Sequence, residues 1–200
     1  ILRGETVATN RARPPDFIYA QWRRALRLGE LVKPEIRRSA GLTLEEAVST
    51  TGAAESRNKP RRRADRQKAR DAMASALAAA RVGNGFVCEA KAFCAAVSPS
   101  GWRIVTLDDV AFLGTACDAA DLVVVSLALR LEACRSGARL VTARHLRRTG
   151  ALEIHPDAEG LSNIFSAAQV TPAVENLDRP WARHRSYDWR TGSFDPPVDQ

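Results

Sequence analysis

Residues 117–134 read CDAADLVVVSLALRLEAC. The DLVVVS inside this stretch is apolar on both alternating faces, which is how a strand covered on both sides looks. Similar short runs surround it: FVCEA at 86–90, FCAAV at 93–97, WRIVTL at 102–107, ARLVTA at 138–143 and ALEIH at 151–155. They are punctuated by SPSG, RSG and RTG, which carry turn residues. LDDVAFLGTACDAAD at 107–121 predicts a short helix capped by Asp108, then a turn at Asp118. The second half of the chain is therefore expected to be the sheet layer of an α/β or α+β fold, centred near 122–127.

The first half is sparser. LRGETVAT at 2–9 reads as a short strand or strand end. In DFIYAQWRRALRL at 16–28, Asp16 is a candidate cap, and Phe17, Ile18, Trp22, Ala25 and Leu26 recur on one helical face. Arg23, Arg24 and Arg27 fall outside that face, so the helix is expected to pack its apolar side on something. From Lys33 to about Arg63 the periodicity fades among Pro, Gly and Ser/Thr/Ala residues, which predicts a linker or insertion with one short helix at 42–48. ADRQKARDAMASALAAARVG at 64–83 then predicts a helix on alanine propensity, stopped by Gly83 or Gly85. The expected organisation is a strand end and amphipathic helix over 1–32, a flexible basic linker over 33–65, a sheet-containing part over 66–175 and an Arg/Trp-rich tail over 176–200.

Two hundred residues with 45% apolar composition exclude wholesale disorder and suffice for one ordinary core. No run approaches the roughly 18 apolar residues that span a bilayer, and the start lacks a signal-peptide pattern. The chain opens at Ile1 and its single methionine is Met73, which predicts a processed protein or a piece of a longer one. The net charge is +7. Much of the excess lies in RNKPRRRADRQKAR at 57–70, which reads either as a solvated linker or as a phosphate-attracting surface. Few aromatics accompany it, so base-specific recognition is not expected. In the tail, DRPWARHRSYDWRTGSF sets arginines among tryptophans, a pattern that suits either nucleic-acid contact or an arm docked on its own domain.

Cys88, Cys94, Cys117 and Cys134 are spaced C-x5-C and C-x16-C. Zinc sites favour tighter pairs with His or Cys close by, and the three histidines, His145, His155 and His184, are remote in sequence. Two local disulfides, Cys88–Cys94 and Cys117–Cys134, explain the spacing, with loop-closure contributions of about 2 and about 3 kcal/mol. They imply an oxidising compartment. Four buried free thiols in a cytosolic core are the alternative, and thiol titration distinguishes the two.

No nucleophile elbow, phosphate-binding loop, dinucleotide fingerprint or H-x-x-x-H pattern is present, so no catalytic residue and no cofactor is expected in this segment. Asp108, Asp109, Asp118 and Asp121 lie near strand ends, where hard-metal ligands sit, but caps and turns call for the same residue type.

GWRIVTLDDVAFLGTACDAADLVVVSLALRLEACRSGARLVTARHLRRTGALEIHPD at 101–157, followed by RPWARHRSYDWRTGSF at 179–194, resembles the C-terminal end of the ComEC family of DNA-internalisation competence proteins. The likeness covers most of 84–190, and more loosely the helix at 16–27. It implies part of a metallo-β-lactamase-like mixed sheet with flanking helices. In active members an Asp at the start of a late strand is followed by His-His-Gly, whose first His helps hold the metal. Here Asp121 is the only position matching a site motif, and Leu127, Ala128 and Leu129 stand where His-His-Gly would be. RRTGALEI at 147–154 matches the closing piece, and the family's main His-x-His-x-Asp-His motif is absent. Leu and Ala offer no lone pair, so the resemblance implies a degenerate module without metal ligands.

The resemblance implies the C-terminal soluble region of an inner-membrane DNA-uptake protein, on the periplasmic side, assisting single-stranded DNA. Its implied partners are that DNA, the membrane-channel part of the same polypeptide and other competence proteins. Candidate DNA contacts are Arg61, Arg62, Arg63, Lys68, Arg179, Arg183 and Arg185. The Cys117–Cys134 bond is expected to hold a strand end that metal helps anchor in active relatives. Two other functions stay open: a metal-dependent nuclease whose ligands lie upstream, and a secreted structural or interaction domain.

Overall fold

A computed structural model describes residues 1–3, 6–12, 15–25, 27–39, 42, 55–129, 131, 133–154, 170–174, 180–189 and 191–194. The chain forms two compact units, one of Ile1–Val125 with Ala133–Leu140, the other of Ser126–Glu132 with Val141–Gln200. The fold is mixed α/β, as the run of short apolar segments predicts.

The first unit opens with β1 (Leu2–Arg3) and β2 (Thr6–Ala8), paired antiparallel. Helix α1 (Asp16–Ala25) then carries the chain to β3 (Glu30–Val32), which lies parallel to β2. A parallel neighbour needs such a crossover, because a tight turn can only join antiparallel strands. Asp16 is the first residue of α1, and the Pro15 carbonyl accepts from Tyr19 N–H at 3.0 Å. At the other end Leu28 N–H reaches back to the Arg23 carbonyl at 3.2 Å, while Arg27 takes φ +50°. That is a Schellman closure with a non-glycine residue in the left-handed position, and Leu28 beyond it is buried. Arg27→Gly is expected to raise the free energy of unfolding by about 0.5–1 kcal/mol, read from denaturant midpoints at unchanged slope.

Next come β4 (Glu35–Arg37), α2 (Glu55–Val82), β5 (Val87–Glu89), β6 (Phe93–Val97) and β7 (Arg103–Leu107). A 3-10 turn at Val110–Phe112, α3 (Leu113–Ala119), β8 (Leu122–Val125) and β9 (Arg139–Thr142) follow. These strands make one six-stranded sheet in the order β4-β5-β6-β7-β8-β9. β4 and β5 are parallel across α2, β5, β6 and β7 run antiparallel, and β7 and β8 are parallel across α3.

The centre of the sheet is β6 and β7, not the 122–127 strand that the apolar pattern singled out. All five residues of β6 are buried. Period two puts Cys94 and Ala96 on one face, where they join Ala8, Phe86 and Cys88 in a core cluster that also takes in Ile1 and Val32. Phe93, Ala95 and Val97 occupy the other face, on which α2 packs. The buried face of α2 is Ala69, Met73, Ala76, Leu77 and Ala80, at helical spacing. Its alanines let the helix backbone sit close to the sheet, so small β6 residues complete a tight layer without long side chains. A strand of small residues carries a weaker pattern than DLVVVS, and for that reason the centre is misplaced from sequence.

α2 begins at Glu55, so the basic run at 57–63 lies in its N-terminal turns, and β4 also falls inside the stretch read as linker. Gly83 follows the last helical residue and its N–H donates to the Ala79 carbonyl at 2.9 Å. The cap after β7 is Asp109, not Asp108: its carboxylate accepts from Ala111 N–H at 2.9 Å. Asp118 lies within α3 rather than in a turn. Both disulfides read from the cysteine spacing are present. Cys88 and Cys94 are direct partners across β5 and β6, and Cys117 of α3 joins Cys134 beside the isolated bridge Ala133↔Arg139.

The second unit contains α4 (Ala143–Thr149), β10 (Leu152–Ile154), β11 (Val170–Pro172), α5 (Pro180–Arg183), a 3-10 turn at His184–Ser186, β12 (Tyr187–Asp188) and β13 (Ser193–Phe194). β10 pairs with β11, and β12 with β13, both antiparallel. A capping box starts α4: Thr142 N–H donates to His145 Nδ1 at 3.2 Å, and the Thr142 hydroxyl takes the reciprocal bond. Gly150 ends it at φ +75°, where an added Cβ would also meet Val174 at 3.2 Å.

Candidate functional site

β8 is where the family resemblance locates chemistry, and its two flanks differ. Asp121 stands immediately before the strand. Its carboxylate accepts from Arg103 N–H at 2.8 Å, Arg103 Nε at 3.0 Å and the Arg103 guanidinium at 2.6 Å. Its main-chain N–H donates to the Arg103 carbonyl, and its carbonyl accepts from Arg139 N–H, both at 2.9 Å. Asp121 thus ties β7, β8 and β9 together at one end of the sheet. Burial pushes its carboxyl up, but the hydrogen bonds from the Arg103 side chain and main chain, and the guanidinium charge, outweigh that and hold it below the usual carboxylate range.

This arrangement sets a pH dependence. A carboxyl depressed in the folded state adds stability that is fully present above its unfolded value of about 3.9 and is lost as pH falls through the lower folded value. Arg103 is 43% exposed, so solvent screens the pair. Asp121→Asn is expected to cost about 1 kcal/mol at neutral pH. The gap between variant and parent should close as urea titrations are moved below about pH 4.

On the far side of β8 the chain makes a tight turn. Leu129 N–H donates to the Leu127 carbonyl at 3.1 Å, and the same carbonyl accepts from Ala143 N–H at 3.1 Å. Leu127 and Ala128 are exposed and Leu129 half-buried. Nothing in this turn's side chains can coordinate a metal or move a proton. Among the described residues, no group of three or more His, Cys, Asp or Glu side chains could hold a metal ion. All four cysteines are in disulfides.

The basic candidates fall in both units. In the first, Lys68 is exposed on α2, with Arg66 and Arg70 beside it on the outer surface. Arg70 approaches Asp118 at 3.5 Å, an exposed pair of little energetic weight. In the second, the Arg183 guanidinium lies 5.1 Å from the Phe194 ring, which is itself edge-on to Tyr187 at 5.2 Å. The tail therefore folds on itself, with an arginine over a phenylalanine. Arg185 is half-buried. Arg179, His155 and residues 43–48 of the helix read at 42–48 lie outside the described residues, as do the side chains of Arg61, Arg62 and Arg63.

Sequence reasoning missed the cap made by His145. The signal was there, since Thr142 and His145 stand three apart at a strand-to-helix junction, but a histidine is an unusual partner at that position. No protein-family profile matches this chain, and no curated protein or solved structure matches it.

Proposed function

We propose that this chain is the C-terminal soluble region of a ComEC-like inner-membrane DNA-uptake protein, held on the periplasmic side, which guides single-stranded DNA without metal chemistry of its own. The observation that carries the reading is the turn after β8. Where the resembled family has its His-His-Gly, this chain presents Leu127, Ala128 and Leu129, with Leu127 and Ala128 turned to solvent. The mixed sheet with flanking helices is compatible with part of a metallo-β-lactamase-like fold, and the two disulfides suit an oxidising compartment.

Lys68 and its arginine neighbours on α2, and Arg183 and Arg185 in the tail, supply positive charge for phosphates. Such contact is sequence-independent and strongly salt-dependent, since each neutralised phosphate releases counterions. The test is fluorescence anisotropy of the full chain with labelled oligodeoxythymidine over a range of salt. Three phosphate contacts give a slope of about −2 in log affinity against log salt, and Lys68→Glu should flatten it by about 0.7. Absence of salt-dependent binding overturns the guiding role. Chelator-sensitive nuclease activity in the longer protein would replace it with the hydrolase reading.

A further inference from the structure

The amphipathic helix α1 leaves its apolar side partly open to solvent. None of Asp16–Ala25 is buried, and Phe17 is 74%, Ile18 40% and Trp22 39% exposed. Yet the helix is firmly held at both flanks. It connects the paired strands β2 and β3, Ala8 before it and Leu28 after it are buried, and the Leu28-to-Arg23 bond fixes its C-terminus. A well-anchored helix that leaves its aromatic and aliphatic residues in water is a surface built to be covered.

The distribution of charge says by what. At about 100° per residue, Phe17, Ala25, Ile18, Trp22 and Tyr19 share one sector, with Gln21 the lone polar residue inside it. Arg24 borders that sector next to Phe17, and Arg23 borders it next to Tyr19. Apolar residues flanked by arginines, with Trp and Tyr among them, suit the boundary between headgroups and acyl chains. A second copy would bring the arginines of both helices together. A nucleic acid would satisfy the arginines and leave Ile18 in water. An anionic bilayer surface satisfies both at once.

We propose that α1 docks the protein on an anionic bilayer surface, lying in the interface with Phe17, Ile18 and Trp22 inserted and Arg23 and Arg24 against lipid phosphates. The proposal does not depend on the DNA-guiding reading and fails separately from it. The helix is about 15 Å long, so it can lie on a membrane but not cross one.

The experiment is co-sedimentation of the full chain with vesicles of equimolar phosphatidylglycerol and phosphatidylcholine, against phosphatidylcholine alone. Binding should be at least about tenfold stronger to the anionic vesicles, and Arg23→Glu/Arg24→Glu should reduce it by about fivefold for each arginine. Ile18→Asp should reduce it by about tenfold, and since Ile18 is already exposed, near-UV circular dichroism should stay unchanged. Arg81→Glu/Arg135→Glu makes the same change in net charge at exposed positions away from α1 and should alter binding by no more than about twofold. Anionic vesicles should also shift tryptophan emission to the blue in the parent but not in Trp22→Phe.

Equal binding to both vesicle types overturns the proposal, as does an equal loss in the two double variants, which would reduce the effect to net charge. Self-association that Ile18→Asp disperses, with vesicles indifferent, also overturns it by making a second copy the occupant.

Discussion

Phe93→Ala is expected to lower the free energy of unfolding by about 3–5 kcal/mol. Phe93 is fully buried on β6, between Glu89 of β5 and Leu107 of β7 in register, and its ring packs against Phe112 at 5.7 Å with the planes tilted by 56°. Truncation removes most of its transfer free energy and leaves a cavity. The strands on either side and α2 above are fixed by their own hydrogen bonds, so the walls cannot collapse to fill it. Guanidinium titrations of parent and variant at matched slope measure the loss. A change below about 1 kcal/mol would mean that α2 is not seated on β6 as described.

Cys117→Ser/Cys134→Ser is expected to cost about 3 kcal/mol, the larger of the two disulfide effects because its loop is the longer. The bond separates its ends by 17 residues and encloses all of β8. It fastens α3, which packs on α2, to the turn that leads into β9, and the Ser136 hydroxyl donates to the Cys117 carbonyl in the same place. Thermal melts under non-reducing conditions should show the loss, and in dithiothreitol the parent and the variant should converge, each having also lost the Cys88–Cys94 contribution. Full stability in the double serine variant would end the idea that this crosslink replaces an anchor at the end of β8.

The legible parts of the fold were those where one residue pattern answers to one constraint. FCAAV at 93–97 is β6 to the residue, and the runs around 87, 103, 122, 139 and 152 each hold a strand. SPSG, RSG and RTG place Gly101, Gly137 and Gly150 at φ +89°, +88° and +75°, a backbone region that glycine enters at little cost. The cysteine pairing was legible because both loops are short. β3 and β4 were not, since three-residue strands led by glutamate have no periodicity to read. α4 hid because ARHLRRT has a single strong hydrophobe. The reach of α2 back to Glu55 hid because basic residues suit a helix as well as a linker.

α1 was legible as a helix, but not what its apolar side meets. Periodicity correctly marks its apolar face, but it cannot tell a face that meets the core from one that meets something else. The candidate site was legible only in part for a related reason. Asp121 was visible as a residue, whereas its engagement by Arg103, eighteen positions away, depends on β7 and β8 lying side by side. For the basic residues, composition gives the charge and only the fold decides which of them face solvent.

The Cys88–Cys94 bond has a consequence for how the chain finds its pairing. A slip of one residue in β6 would carry Phe93, with every other side chain of the strand, to the opposite face, so packing and the covalent bond specify the same alignment. A covalent link between residues that are direct partners allows only one alignment. Oxidation of this small hairpin fixes the β5–β6 register by itself, with no help from α2.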